Sequence, residues 1–193
     1  MKQMHNFRDL YNCCAIIMRC FVAINLPEEV KENVKKIVAS IPENGIKKVA
    51  PENLHLTLKF LGEIGERAIR KVENKLSEIK FNKFSVELKD IGFFPSRNFV
   101  RVVWVGIGEG REEIEELQKK IDEKLIELFK KEENFEPHLT IARVKFLKDK
   151  KIIQRLEKIK FENCFEVESF ELMESILQKD GPRYKVIKSF RCI

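Results

Sequence analysis

The sequence predicts a single compact unit of the α+β class. Strand-like and helix-like segments alternate along the 193 residues, and no stretch rich in Gly, Ser or Pro separates them as a linker between domains would. Apolar residues make up 44% of the chain, which is ample for a core and argues against disorder. The sequence His-Leu-Thr occurs in both halves of the chain. It favours an internal pseudo-repeat in which each half supplies one strand to a shared cleft.

Runs rich in Val, Ile and Phe predict the strands, and turns containing Pro or Gly end them. "GFFPSRN" is expected to be a loop between the third and fourth strands, and "QKDGP" the final turn. In chain order the predicted strands are 19–26, 54–61, 84–91, 99–107, 138–146, 164–177 and 183–190.

Apolar residues spaced three and four apart predict the helices. The first begins at Pro27, a residue suited to the first turn of a helix. The longest buries a stripe that runs from Ile114 to Leu128. The predicted helices are 27–41, 65–80, 112–131 and 149–159.

The N-terminal residues are expected to stand apart from the domain. Met18 is interpreted as the natural start, residues 1–17 as an upstream extension that is poorly ordered or loosely docked, and residues 18–193 as one domain. The apolar stretch 13–26 is interrupted by Arg19, is too short to span a bilayer and has no signal-peptide cleavage site. No membrane partner is therefore expected.

Charge and cysteine content narrow the class of protein. The net charge of +6 is consistent with a polyanionic partner such as RNA, although a lysine-rich solubilising surface explains it equally well. The five cysteines form no C-x-x-C pair, which is typical of reduced thiols in the cytoplasm. They indicate no metal site, and no cofactor is expected.

Two short motifs carry the chemistry. The chain has only three histidines and two threonines, and both threonines stand two positions after a histidine. The pairs are His55 with Thr57 in "ENLHLTLKF" and His138 with Thr140 in "FEPHLTIARV". Because alternate residues of a strand share a face, each pair points one way and the flanking apolar residues point the other. The His/Thr face is therefore available to a cleft.

Two opposed His/Thr pairs suit displacement at phosphorus. Histidine exchanges protons near neutral pH, so one can act as base at the attacking oxygen and the other as acid at the leaving oxygen. The threonine hydroxyls can hold the equatorial oxygens. A metal site would need a third ligand that neither motif supplies, since the remaining histidine, His5, lies in the extension.

These segments resemble the two-histidine phosphoesterase superfamily, and within it the RNA 2',3'-cyclic phosphodiesterase (2'-5' RNA ligase) family. The resemblance covers about residues 18–193 and includes "MRCFVAINLPEEV", "ENLHLTLKFLGEI", "GFFPSRNFVRVVWVGI", "FEPHLTIARV" and "DGPRYKVIKSF". It implies a bilobal α+β fold, with two pseudo-symmetric β-sheet lobes and outer helices around a central cleft.

The resemblance also implies roles. RNA ends carrying a 2',3'-cyclic phosphate would be opened to a 2'-phosphomonoester, and the reverse reaction would form a 2'-5' bond. His55 would donate a proton to the departing 3' oxygen, and His138 would accept one from water. Thr57 and Thr140 would hold the phosphate.

Arg143 matches a basic residue that often follows the second motif in this family, and it would neutralise phosphate charge. Strict alternation puts it on the face opposite His138, so its role requires a bulge or a strand end.

Neighbouring side chains are assigned from their sequence surroundings. We predict that Phe60 and Trp104 lie in the core and that Phe93 or Phe94 lies at the rim of the cleft. Lys59 and Tyr184 are predicted to lie at the cleft edge, and Arg97 and Arg101 to steer the RNA backbone.

Other functions stay open on the sequence alone. The same chemistry suits a small cyclic nucleotide or an ADP-ribose cyclic phosphate. The cleft could also serve a non-catalytic RNA-binding module, although binding does not need two titratable groups facing each other. Nothing in the chain points to an obligate oligomer, and a monomer is expected.

Overall fold

The structure is a computed structural model that describes residues 17–43, 45–147, 151–179 and 181–193. Its architecture within these ranges is one curled antiparallel sheet with α-helices outside it. The strands are β1 (Ile17–Asn25), β2 (Ile46–Lys48), β3 (His55–Gly65), β4 (Phe84–Ser96), β5 (Phe99–Ile107), β6 (Leu139–Val144), β7 (Glu162–Val167), β8 (Ser169–Leu177) and β9 (Pro182–Arg191). The helices are α1 (Glu28–Ser40), α2 (Glu66–Leu76), α3 (Arg111–Leu125) and α4 (Lys151–Leu156), and a 3-10 turn spans Pro51–Asn53.

A narrow junction divides the sheet into two lobes. The strand order is β7-β4-β5-β6-β3-β1-β8-β9, and β2 pairs with β6. In the described residues, β3 and β6 are joined by one residue pair, Leu56 with Leu139. We call β3, β1, β8 and β9 the first lobe, and β2, β4, β5, β6 and β7 the second lobe. The bilobal α+β prediction is thus confirmed.

The two faces of the sheet differ. The helix-covered face carries the main core, which includes Ile24 and Leu56. The opposite face, which we call the cleft face, carries a small separate cluster of Phe21, Ala23 and Met173. Two helices cross between lobes, because α1 follows β1 but contacts β6 and β7, and α3 follows β5 but contacts β3. These crossings hold the lobes together beneath their narrow junction.

Several predicted boundaries are wrong. The segment 164–177 is not one strand: β7 pairs with β4 in the second lobe, whereas β8 pairs with β1 in the first. The chain must break at Glu168 because one straight strand cannot lie in both lobes. The predicted loop "GFFPSRN" is mostly strand, since β4 and β5 extend to a tight turn at residues 97–98. The longest helix ends at Leu125, and the short β2 carries too little pattern to be predicted.

The expectation for residues 1–16 lies outside the described residues, whereas Ile17 is already part of β1. Within the described ranges, no helix is long and apolar enough to cross a membrane.

An extra residue follows the first motif in β3. Consecutive residues 22 and 23 of β1 pair with Lys59 and Thr57, so Leu58 between them has no partner on β1. A bulge of this kind bends the strand and reverses the faces that the following side chains take. Lys59 therefore turns to the helix side, where it is 2% exposed. The prediction that it lies at the cleft edge is wrong.

The buried Lys59 is held by a polar network. Its ammonium donates hydrogen bonds to a carboxylate oxygen of Asp122 and, at 2.7 Å, to the carbonyl of Lys130. The other carboxylate oxygen accepts bonds at 2.9 Å from the Gln118 amide and from the backbone N–H of Glu132. These contacts tie β3 to α3 and to the segment that follows α3.

Replacing Asp122 by Ala should destabilise the protein by about 3–5 kcal/mol, because the Lys59 ammonium would stay buried without its counter-charge. The measurement is the free energy of unfolding in guanidinium chloride. The double variant Lys59→Met/Asp122→Leu should recover most of the loss, since neither charge remains.

The matched control is Glu78→Ala. This change removes the exposed ion-pair partner of Lys124, which lies on α3 as Asp122 does. It should leave the unfolding midpoint unchanged. Equal effects of Asp122→Ala and Glu78→Ala would contradict the role of the buried pair.

Candidate active site

The two His-x-Thr segments meet where the lobes join. Leu56 and Leu139, the middle residues of the motifs, are paired across β3 and β6. In antiparallel strands the residues flanking such a pair also face one another, so each histidine lies across from the threonine of the other motif. The four side chains, all half-buried, are His55, Thr57, His138 and Thr140. The fold thus brings the two predicted pairs together.

Strand β6 repeats the irregularity of β3. Consecutive residues of β5 pair with Ala142 and Thr140, which leaves Ile141 without a partner on β5. Ile141 stands third after its histidine, the position that Leu58 has in β3. The bulge returns Arg143 to the face of Thr140, and Arg143 is exposed there. The bulge that its predicted position requires is therefore present.

Backbone carbonyls orient both imidazoles. Nδ1 of His55 lies 2.7 Å from the carbonyl of Asn53, and Nδ1 of His138 lies 2.7 Å from the carbonyl of Glu136. A carbonyl only accepts hydrogen bonds, so Nδ1 carries the hydrogen and the neutral ring keeps its lone pair on Nε2. Nε2 of His55 accepts a bond from the Thr57 hydroxyl at 2.9 Å. Nε2 is therefore the atom available for proton transfer in each ring.

The electrostatics of His55 favour its neutral form in the free protein. Burial is the main cause that lowers the pKa of His55, from its ordinary 6.5 to about 4. The hydrogen bond to Asn53 opposes this shift, whereas the positive charge of Arg143, and that of His138 when its ring is protonated, add to it. The charge of Arg143 also acts on Tyr184, where burial raises the phenol pKa and the guanidinium lowers it. Arg143 therefore acts electrostatically on both His55 and Tyr184 of the first lobe.

Aromatic rings pack around His55 on the cleft face. The ring centroids of Phe21 and Tyr184 lie 4.9 Å and 5.1 Å from the imidazole. Phe60 lies 6.4 Å from Phe21 and is 66% exposed. Tyr184 is thus at the cleft, as predicted. The prediction that Phe60 belongs to the core is wrong, because the bulge at Leu58 turns it to the cleft face.

A second aromatic group surrounds His138. Phe94 lies edge-on to the imidazole at 4.9 Å, and Trp104 lies 6.2 Å from it. The core prediction for Trp104 is therefore wrong. Its ring covers Gly92, where an added Cβ would overlap the indole, so the absent side chain makes room for the ring. Phe93 packs on the core instead, so Phe94 is the rim residue of the two.

The two arginines predicted to steer RNA have other partners. Arg97 forms an ion pair with Glu157 at 2.6 Å. Arg101 donates to the carbonyl of Lys145 at 2.8 Å and lies over the ring of Phe99. These contacts engage both side chains and give no support to the predicted role.

Sequence reasoning missed two neighbours of His55. Phe21 sits in an apolar strand run, which carries no sign that one of its faces lines a cleft. Asn53 orients the imidazole through its carbonyl, and its only signal is a polar residue two positions before the histidine. Among the described residues, no group of three or more His, Cys, Asp or Glu side chains is arranged to hold a metal ion.

A family model described as LigT like Phosphoesterase matches the chain twice, over residues 24–104 and 105–184. The chain belongs to this family. One His-x-Thr motif falls in each matched stretch, which supports the pseudo-repeat expected from the sequence. The predicted superfamily is thereby confirmed.

Relatives and solved structures of this family cover nearly the whole chain. The RNA 2',3'-cyclic phosphodiesterase of Methanocaldococcus jannaschii is 43% identical over 177 residues, which are 90% of this chain and 100% of the relative. That of Archaeoglobus fulgidus is 39% identical over 90% of this chain and 99% of its own. Escherichia coli LigT complexed with 3'-AMP superposes with a TM-score of 0.79 at 26% identity, covering 92% and 99% of the two chains. A protein of Thermus thermophilus gives 0.75 at 31% identity, covering 90% and 97%.

Replacing Arg143 by Gln should raise the pKa of His55 above about 4, because the guanidinium charge that disfavours the imidazolium is removed. NMR titration of the His55 ring in the free protein measures the change. Arg101→Gln, one strand away, is the control and should leave the titration as in the wild type. An unchanged His55 titration in Arg143→Gln would show that the guanidinium does not face the histidine.

Proposed function

We propose that the protein is an RNA 2',3'-cyclic phosphodiesterase that opens the cyclic phosphate to a 2'-phosphomonoester by acid–base catalysis with His55 and His138. The observation that carries the proposal is the meeting of two His-x-Thr segments across the Leu56–Leu139 pair, with Arg143 on the same face. The name shared by the archaeal relatives, RNA 2',3'-cyclic phosphodiesterase, supports this activity.

The proposed mechanism is an in-line displacement at phosphorus. Nε2 of His138 takes a proton from water as its oxygen forms a bond to phosphorus. The bond from phosphorus to the 3' oxygen breaks, and Nε2–H of His55 protonates that oxygen. The product keeps the phosphate on the 2' oxygen and has a free 3' hydroxyl. Once Nε2 of His55 is protonated it no longer accepts the Thr57 hydroxyl, so the hydroxyls of Thr57 and Thr140 can both donate to non-bridging oxygens.

Substrate binding favours the protonated form of His55 that this mechanism requires. His55 has to be protonated when it acts as the acid, yet Arg143 and burial favour its neutral form in the free protein. An anionic phosphodiester between these groups offsets the arginine charge and stabilises the imidazolium. Proton loading of His55 is therefore coupled to substrate binding in this mechanism.

The aromatic rings on the cleft face support a nucleotide substrate. Nucleobases at single-stranded RNA ends stack on exposed aromatic side chains. Phe60 is exposed in the first lobe, and Phe94 stands at the rim in the second. The net charge of +6 is compatible with an RNA chain as the partner.

Residues 18–193 are taken as one catalytic domain that acts as a monomer. Both His-x-Thr segments come from the same chain, so no second copy has to complete the site. We assign it to the cytoplasm, where thiols stay reduced. The described cysteines Cys20, Cys164 and Cys192 are free thiols.

The decisive assay uses a short RNA ending in a 2',3'-cyclic phosphate, in EDTA, with the terminus of the product identified by phosphorus NMR. Wild type should yield a 2'-phosphate. His55→Ala and His138→Ala should each lose on the order of 10²–10⁴ in rate, because each removes one proton-transfer step. Circular dichroism checks that both variants keep the fold.

Other results of this assay would change the proposal. A 3'-phosphate product would reverse which oxygen leaves. Turnover of small cyclic phosphates but not of RNA would change the substrate class. Tight RNA binding without any turnover by the folded wild type would favour the non-catalytic RNA-binding module.

Replacing Thr57 by Val should lower the rate by about 10²-fold, because the isosteric side chain has no hydroxyl to donate to the phosphate. Thr57→Ser keeps the hydroxyl and is the matched control, expected to retain most of the rate. Steady-state kinetics on the same RNA measures both. Equal rates for the Val and Ser variants would rule out a phosphate contact by this residue.

A further inference from the structure

Both histidines are held by the residue two positions earlier in the chain. The carbonyls of Asn53 and Glu136 each lie 2.7 Å from the Nδ1 atom of their histidine. The orientation of each imidazole therefore depends on the position of one backbone carbonyl.

Each of these two residues is anchored by its own side chain. The amide of Asn53 donates to the carbonyl of Pro182 at 2.8 Å, at the start of β9. The carboxylate of Glu136 accepts two parallel bonds from the guanidinium of Arg111, at 2.7 and 2.8 Å. Arg111 is the first residue of α3 and also donates to Glu115 at 2.8 Å. The anchors differ in chemistry but act at the same position relative to the two motifs.

The segment before His138 needs such an anchor. No regular helix or strand lies between Leu125, where α3 ends, and Leu139, where β6 begins. The carbonyl of Glu136 is thus outside the strand ladder that would fix it. A bidentate arginine–carboxylate pair restrains both the distance and the direction of the group that it binds.

We propose that Arg111 is a positioning residue for His138. By holding the Glu136 side chain, it keeps the Glu136 carbonyl against Nδ1 and so keeps Nε2 of His138 directed into the cleft. Arg111 does not touch the reacting atoms. The catalytic consequence rests on the proposed function, which assigns proton transfer to His138, whereas the orientation of the ring does not.

The electrostatics are consistent with a permanent ion pair. The hydrogen bonds from Arg111 are the main cause that lowers the pKa of Glu136. The carboxylate is therefore ionised and able to accept both bonds at the neutral pH at which two histidines would exchange protons.

The first test is Arg111→Met, which keeps much of the side-chain volume but removes the guanidinium that makes the two parallel hydrogen bonds to Glu136. We expect kcat on the cyclic-phosphate RNA to fall about 10- to 10²-fold, because Nε2 of His138 is no longer held in position to take a proton from the attacking water. KM should change little. The ring ¹⁵N shifts of His138, recorded without substrate, should move towards a mixture of tautomers. Glu115→Gln, which removes the other partner of the same arginine, is the control and should change neither readout.

The double variant Arg111→Met/Glu136→Met separates positioning from stability. Removing both partners leaves no charge without its counter-charge, so it restores the stability that removing Arg111 alone costs. Because the carbonyl stays unanchored, kcat and the His138 ring shifts should remain as in Arg111→Met although the unfolding midpoint recovers. Recovery of kcat together with the midpoint would show a purely structural role and would overturn the proposal.

The ring spectra keep this test independent of the substrate. If the wild type does not turn over RNA but Arg111→Met shifts the His138 ring signals, the positioning role stands and the proposed function fails. If the His138 signals of Arg111→Met match those of the wild type, the positioning role fails whatever the activity.

Discussion

The arrangement of the site depends on an extra residue that directly follows each His-x-Thr motif, one in β3 and one in β6. Leu58 and Ile141 are each third after a histidine, and neither has a partner on the adjacent strand, β1 or β5. Each bulge reverses the faces of the residues that follow. Without them Lys59 would point into the cleft and Arg143 into the core. The shared position of the two bulges is also the clearest structural sign of a repeat, since the halves have little sequence in common beyond the motifs.

The bulge in β3 buries the charge of Lys59, and α3 supplies the counter-charge. The bulge turns this lysine into the core, where an unpaired ammonium is strongly unfavourable, and Asp122 of α3 neutralises that charge. The same helix begins with Arg111, which holds Glu136 beside the other histidine. α3 therefore contacts β3, the strand of the first motif, through Asp122. It contacts the segment that precedes the second motif through Arg111. α3 thus contacts the first lobe although it follows a strand of the second.

The two halves of the pseudo-repeat have a bulge at the same position but place different side chains on the cleft face. The residue fifth after each histidine reaches the cleft face, and it is Phe60 in one lobe and Arg143 in the other. An aromatic ring and a guanidinium suit the two parts of a nucleotide end, the base and the phosphate. The asymmetry extends to the anchors, a neutral amide at Asn53 and an ion pair at Glu136.

The sequence by itself determined the α+β class, most of the helices and strands, and the two His-x-Thr pairs, because hydrophobic periodicity and the rarity of His and Thr are visible along one chain. The tertiary structure alone decided which face Phe60 and Arg143 take, that 164–177 splits between the lobes, and that Arg111 meets Glu136. The physical reason is the same in each case. Alternation is a local property of one strand, whereas a bulge, a change of lobe or an ion pair between residues 25 positions apart is set by partners that only the folded chain brings together.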